Sequence, residues 1–218
     1  MNEIILMSDP KVAAIPVAEC GERLVDVRRV SSLLIDDRKQ QESADAAAHL
    51  REGVLNRLLA AEASLPQGLR LLFVEGYRPP SLQRRYFEEY AAQLSADHPE
   101  SSAGEVRSAA SRFVSPPEIA PHSAGAAVDL TLADADGHEL DLGTRMNATP
   151  EESAGACYTH AADITDEARS LRRILGTALT DAGLVNYPTE WWHWSYGDRY
   201  WALMTATATA RYGPKSLD

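Results

Sequence analysis

The chain is poor in cysteine, with two in 218 residues, Cys20 and Cys157, far apart in sequence. That excludes a disulfide-stapled scaffold, and without a Cys-x-x-Cys pair it excludes a thiolate zinc site. Both cysteines read as free thiols. Basic residues are also scarce: 21 Lys and Arg stand against 32 Asp and Glu, a formal charge of -11. Phosphate backbones are held by basic stripes, so nucleic acid is not an expected partner. No hydrophobic run approaches the roughly 20 residues of a membrane span. The segment Met1 to Pro10 has an early acidic residue, Glu3, and only a short apolar run, which does not read as a signal peptide. A cytoplasmic protein without a membrane partner is the expectation. Internal repeats, a Gly-rich phosphate loop and a Gly-x-Ser-x-Gly elbow are missing as well.

What is present is enough for a real core. About 44% of the residues are hydrophobic, ordinary for a globular protein. No Pro/Gly/Ser-rich linker divides the chain, so residues 1–218 read as a single domain with its core at about 25–205. Leu50, Val54, Leu55, Leu58 and Leu59 recur at helical spacing and predict a helix over 46–63, with Asp45 as its N-cap. Leu69 to Val74 reads as a buried strand. Gly76 to Ser81 is a turn that starts a second helix running to about Leu94, and a short helix is expected between Ser95 and Arg112. Ala126 to Leu132 is strand-like. Asp134-Ala135-Asp136-Gly137 reads as a hairpin turn, with Glu139 to Leu142 returning as a strand. Asn147 to Thr165 is polar and irregular. Asp166 to Ala182 is helical, with Gly183 as its C-cap, and Trp191 to Trp201 reads as strand. The expectation is an α+β fold with a central antiparallel sheet flanked by helices.

Two segments carry the chemistry. Pro121-His122-Ser123-Ala124-Gly125-Ala126-Ala127-Val128-Asp129 and Glu190-Trp191-Trp192-His193 together supply two histidines, an aspartate and a glutamate. Structural zinc is normally closed by four protein ligands, whereas catalytic zinc has three and keeps one position for water. The inventory here is the second. His122 and Asp129 lie on one turn-strand unit, and His193 would arrive from a distant segment. Glu190, three residues before His193, has the chemistry of a general base and acid. A His or Asp beside a strand is by itself most often a hydrogen-bonded structural residue, and Glu-x-x-His recurs by chance. The joint occurrence moves the balance toward a metallohydrolase. Trp191, Trp192 and Trp194 read as core that also forms a dry wall for the site. Arg78, in the tight turn Tyr77-Arg78-Pro79, can polarise a carbonyl and hold an oxyanion. Glu75 can pair with Arg78 or bind a substrate ammonium. His49, His98 and His138 read as structural or solvated, and His160 has no assignment.

At these residues the chain resembles the zinc D-alanyl-D-alanine dipeptidases of the VanX-like type, relatives of zinc D,D-carboxypeptidases and of the hedgehog signalling domain. The marks are Tyr77-Arg78-Pro79, His122-x-x-Gly125-x-Ala127-x-Asp129-Leu130-Thr131-Leu132, and Glu190-Trp191-Trp192-His193, within about Leu69 to Trp201. The resemblance implies one Zn2+ per chain on His122, Asp129 and His193. It also implies Glu190 as base and acid, Arg78 as transition-state stabiliser, and a small peptide substrate. It places Glu75, Tyr77, Ala120 and Asn147 at substrate-contacting positions. Three of these depart from the family pattern. Ala120 stands where a serine holds the substrate carboxylate, and Asn147 stands where an aspartate meets the substrate ammonium. Glu75 replaces the aspartate of an Asp-x-Tyr-Arg turn. Cell-wall recycling and glycopeptide self-resistance both fit such a protein, as does a changed dipeptide or a muropeptide end. A zinc-binding domain without turnover is the remaining alternative.

Overall fold

The computed structural model describes residues 4–36, 38 and 45–217. Of the N-terminal segment considered above, Met1, Asn2 and Glu3 lie outside the described residues. The strands are β1 (Leu24–Asp26), β2 (Leu34–Ile35), β3 (His49–Arg51), β4 (Arg70–Glu75), β5 (Ala127–Ala133), β6 (Val185–Asn186) and β7 (His193–Ser195). The helices are α1 (Pro10–Ala14), α2 (Val27–Val30), α3 (Glu52–Ser64), α4 (Pro80–Asp97), α5 (Ala103–Ala110), α6 (Asp166–Asp181) and α7 (Arg199–Met204). Strands β1 and β3 form a small antiparallel ribbon. The main sheet has the order β2-β4-β5-β7-β6. Its pairings are antiparallel except at one edge, where β2 runs parallel to β4. The fold is α+β, as expected, with a mixed rather than purely antiparallel sheet.

The register of the sheet creates the site. Successive side chains along a strand point to opposite faces. In β5, Val128, Leu130 and Leu132 therefore share one face, and in β7 Trp194 joins them. That face is covered by α3 and α6, whose Leu55, Leu58, Leu175, Ala178 and Leu179 belong to the same buried cluster. Asp129 and His193 sit directly opposite each other in the β5–β7 pairing. They necessarily point together to the other face. Helices α4 and α5 pack on each other through a separate cluster of Phe87, Leu94, Ala110 and Val114. Helix α6 is N-capped by Thr165, whose side chain accepts from Ala168 N. It ends at Gly183, where Gly183 N bonds Thr180 O and Leu184 N bonds Leu179 O, the Schellman pattern.

Three expected elements differ. The first predicted helix begins at Glu52, not Ala46; residues 46–48 are a 3-10 turn and 49–51 a strand. Asp45 has φ 71° and makes no side-chain cap. Tertiary contacts override the helical spacing here. The fully buried Arg51 is held by Ala124 O, Glu19 and the carbonyls of Glu22 and Gly213. The returning strand at Glu139–Leu142 shrinks to a single bridge, Ala133 with Glu139. The Leu142 carbonyl is taken instead by Arg172 Nε of α6, at 2.7 Å. The aromatic strand from Trp191 to Trp201 is only β7, because the chain turns at Gly197 and Asp198 then caps α7. Cys20 and Cys157 are free, as expected. Among the described residues no helix is long and apolar enough to cross a membrane.

Candidate metal centre

His122 opens a 3-10 turn, His122–Ala124, that closes on Gly125 at φ 66°. A left-handed residue at that point favours glycine. It reverses the chain, so that Ala126 N bonds Pro121 O and β5 begins at once. The His122 ring is fixed from behind: Nδ1 lies 2.6 Å from Gly76 O, leaving Nε2 to face the site. Gly76 is itself wedged, since a Cβ there would meet His49 O at 2.3 Å and Leu50 Cδ2 at 2.8 Å. A backbone carbonyl cannot swing aside as a side chain can. Gly76→Ala is therefore expected to destabilise the metal-free protein by about 1–3 kcal/mol. It should also weaken metal binding by displacing the carbonyl that orients His122. Urea unfolding and a metal titration of the same preparation check both effects.

Three donor atoms converge. His122 Nε2 to His193 Nδ1 is 3.2 Å, His193 Nδ1 to Asp129 Oδ1 is 3.1 Å, and His122 Nε2 to Asp129 Oδ1 is 3.4 Å. All three residues are buried. A tetrahedral ion with bonds of about 2.0 Å has ligand-ligand edges of about 3.3 Å. The triangle matches that edge length on every side, so the donor set fits zinc with one position left over. Burial would raise the Asp129 carboxyl, but the two imidazoles outweigh it and hold it far below its ordinary value. His193 is pushed down, first by burial, with Asp129 opposing. An anionic carboxylate and a neutral imidazole are the forms that ligate a metal.

Glu190 stands beside the triangle, with Oε2 3.8 Å from His193 Nδ1. The link is a tight turn in which Glu190 N bonds Tyr187 O and His193 N bonds Glu190 O. Its carboxyl is driven well above its ordinary value by burial and then by Asp129, with Arg78 opposing. Arg78 is held rigidly. Nε and Nη2 bond the two Glu75 oxygens at 2.7 and 2.8 Å, Nη1 bonds Gln83 Oε1 at 2.9 Å, and the guanidinium lies over Tyr86. Burial opposes the Arg78 charge but Glu75 more than restores it, and Arg78 in turn holds Glu75 ionised. A guanidinium has five N–H donors, so the fork is anchored with donors to spare.

All five residues, His122, Asp129, His193, Glu190 and Arg78, line one cavity of about 380 Å3. Asn147 lines it too, in a left-handed conformation at φ 61°. The other expected substrate contacts do not. Glu75 is buried and both its oxygens are spent on Arg78. Tyr77 is buried, and its hydroxyl bonds Lys215 O at 2.6 Å. Ala120 is buried against a separate crevice that it shares with Asp198. Trp192 lines the cavity, while Trp191 and Trp194 are core, packed with α6. His49, His98 and His138 stay outside the site, and His160 borders a second cavity beside α6. Asp134, Asp136 and His138 also come within ligand distance of one another. They sit on an exposed turn and are engaged in its own hydrogen bonds.

Sequence reasoning missed the cavity's aromatic wall: Tyr86 and Tyr90 of α4, with Phe113 and Val114. Positions 86, 90 and 93 share one helix face, and that spacing was the available signal. Gln83, which anchors Arg78 and bonds Ser115 O, carried none.

D-Alanyl-D-alanine dipeptidase of Synechocystis is 29% identical over 222 residues, covering 87% of each chain. The enzyme of the same name from Enterococcus faecium is 32% identical over 65% of this chain and 69% of its own, and that of Escherichia coli 29% over 62% and 60%. Among solved structures, the LD-carboxypeptidase LdcB matches at TM-score 0.46 with 16% identity, over 88% of this chain and 76% of its own. The vancomycin-resistance D,D-pentapeptidase VanY, in a complex with Zn(II), matches at 0.42 with 16% identity, over 75% and 80%. The peptidase M15 model, described as D-Ala-D-Ala dipeptidase, matches residues 37–209. With that span covered, this chain belongs to the M15 peptidase family of D-Ala-D-Ala dipeptidases.

Proposed function

We propose that the chain is a single-domain zinc dipeptidase that hydrolyses D-Ala-D-Ala or a similarly short dipeptide containing D-amino acids. The carrying observation is the donor triangle of His122, Asp129 and His193 with Glu190 at its edge. These three residues would hold one zinc ion. When bound, zinc supplies a Lewis acid that ionises water near neutral pH, polarises a carbonyl and favours the Glu190 carboxylate. Glu190 takes the proton of the attacking water and delivers it to the leaving amine. Arg78 donates to the oxygen of the tetrahedral carbon, and its anchoring by Glu75 and Gln83 removes the cost of ordering it at the moment of reaction. Trp192, Tyr86, Tyr90 and Phe113 line the cavity beside the reacting centre.

A second reading keeps this chemistry and enlarges the substrate. Tyr86, Tyr90, Phe113 and Val114 line the cavity beside the polar Glu89, Gln93 and Ser115, a wall larger than a methyl side chain covers. Asn147 offers no counter-charge to a substrate ammonium. The aromatic part of the wall favours a dipeptide with one bulky apolar residue. The test is release of free amino acid from D-Ala-D-Ala and from D,D, L,D and L,L dipeptides with small and aromatic side chains. Each is assayed with zinc and after chelation. Zinc-dependent release from D-Ala-D-Ala supports the first reading, and higher kcat/KM on an aromatic dipeptide supports the second. One zinc bound per chain with no turnover of any peptide would reject both and leave a binding domain.

A further inference from the structure

The two candidate zinc histidines are not held alike. His122 is braced by the Gly76 carbonyl behind its Nδ1. His193 turns Nδ1 to Asp129, and its Nε2 is buried without a hydrogen-bond partner among the described residues. A metal-bound imidazole almost always passes its other N–H to a carboxylate, carbonyl or water, which fixes its tautomer and orientation. Buried polar atoms without a partner are rare, and such an atom calls for an explanation.

Three more such atoms lie near by among the described residues. Asp198 is buried; its Oδ2 accepts from Tyr200 N at 3.0 Å, but its Oδ1 makes no direct hydrogen bond, and neither do the buried hydroxyls of Ser195 and Tyr200, although the Ser195 hydroxyl lies close enough to act on the Asp198 carboxylate. The chain brings these groups behind His193. Ser195 shares the His193 face of β7. Gly197, at φ 79° and with room for no Cβ beside Tyr212, then reverses the backbone so that Asp198 starts α7. The His193, Tyr187 and Tyr200 rings stack edge-on in succession, at 6.1 and 5.3 Å. The charges of His193 and Asp198 act on each other, yet no direct ion pair joins them.

We propose that Asp198 is a positioning residue for His193. Its free carboxylate oxygen accepts, through one bridging water shared with the Tyr200 hydroxyl, the hydrogen bond of His193 Nε2–H. That single water would satisfy all three atoms, within the two to four partners a buried water takes. Asp198 thereby fixes the tautomer that presents Nδ1 to the metal, as Gly76 does for His122 at the opposite nitrogen. The inference rests on the zinc reading above.

Asp198→Asn separates this role from helix capping. Asparagine keeps the N-cap acceptor and the side-chain volume but removes the negative charge. Zinc affinity is measured by competition with a chromophoric chelator, and thermal unfolding is measured on the metal-free proteins. The expected result is a zinc Kd weakened by about 10- to 100-fold, with a metal-free Tm close to that of the unsubstituted protein. Unchanged zinc affinity would overturn the proposal. Failure of the unsubstituted protein to bind zinc would instead reject the zinc reading itself. Should Asp198→Asn not fold, the zinc protein labelled with 15N-histidine decides. A downfield, slowly exchanging Nε2 proton on His193 is required, and one exchanging as fast as a free imidazole proton would overturn the assignment.

Discussion

Glu190→Gln should lose about 100- to 10,000-fold in kcat, the range of a single general acid-base group, while binding zinc as the unsubstituted protein does. Glutamine preserves the shape of the turn that links residue 190 to His193 and removes only the proton acceptor. The same substitution has a second signature in the metal-free protein. Burial and Asp129 raise the Glu190 carboxyl well above its ordinary 4.5. The folded chain thus binds this proton more tightly than the unfolded chain. The stability it contributes is fully present below pH 4.5 and is lost as the pH rises through the folded value. Metal-free Glu190→Gln should therefore match the metal-free parent near pH 4 and exceed it in stability near pH 8. Urea unfolding at the two pH values measures the difference. A variant that turned over peptide normally would remove Glu190 from the chemistry. One that gained no stability at pH 8 would remove the charge conflict from the empty site.

The ligand set was legible because residue types alone restrict it. With no thiolate pair available, imidazole and carboxylate had to supply any zinc site. The structure adds what no spacing carries, namely that β5 and β7 pair in the one register that sets Asp129 opposite His193. A slip of one residue would turn Asp129 toward α6 and Val128 into the cavity. The turn at Tyr77-Arg78-Pro79 was legible as a turn, but its partners were not. Glu75 lies three residues before Arg78, close enough in sequence to be suspected as a partner or as a substrate contact. The structure shows the pairing, with both groups buried and two parallel hydrogen bonds between them. Gln83 and the aromatic wall depend on how α4 docks over the sheet, which is a non-local matter.

The elements that resisted prediction fail for non-local reasons. Residues 46–51 follow helical spacing, yet 46–48 form a 3-10 turn and 49–51 pair with β1, burying Arg51 under four backbone and carboxylate acceptors. Residues 139–142 follow a hairpin turn, yet Arg172 claims the Leu142 carbonyl. In the first case the backbone carbonyls of Ala47 and His49 are taken by Gly76 N and Tyr77 N, and in the second a side chain from α6 takes a carbonyl that the hairpin pattern had assigned to a neighbouring strand. Asp198 differs. Gly197-Asp198 ahead of Arg199-Tyr200-Trp201 is a readable turn and N-cap, but its relation to His193 becomes visible only once Nε2 is seen to be buried and alone.

Arg78→Ala should damage the protein twice, and the two losses can be measured apart. The guanidinium is the partner of a carboxylate that is 2% exposed. Truncating one member of a buried pair leaves the other charge uncompensated, at a cost of about 3–5 kcal/mol. Metal-free Arg78→Ala is thus expected to unfold at markedly lower urea. The catalytic loss is separate, because a lost oxyanion donor costs about 100- to 1,000-fold in kcat. The double variant Arg78→Ala, Glu75→Gln distinguishes them. It removes the orphaned charge and should recover much of the stability, while kcat stays low because no donor returns to the cavity. Recovery of both together would mean that Arg78 serves only to neutralise Glu75. Lysine should not substitute, since it carries the charge but not the fork that grips Glu75 and Gln83 at the same time. The geometry spends both Glu75 oxygens on Arg78, which under the proposed function makes Glu75 the anchor of that arginine. The Glu75 arm reaches both Nε and Nη2, at 2.7 and 2.8 Å, so the arginine is held in place by a carboxylate of this length.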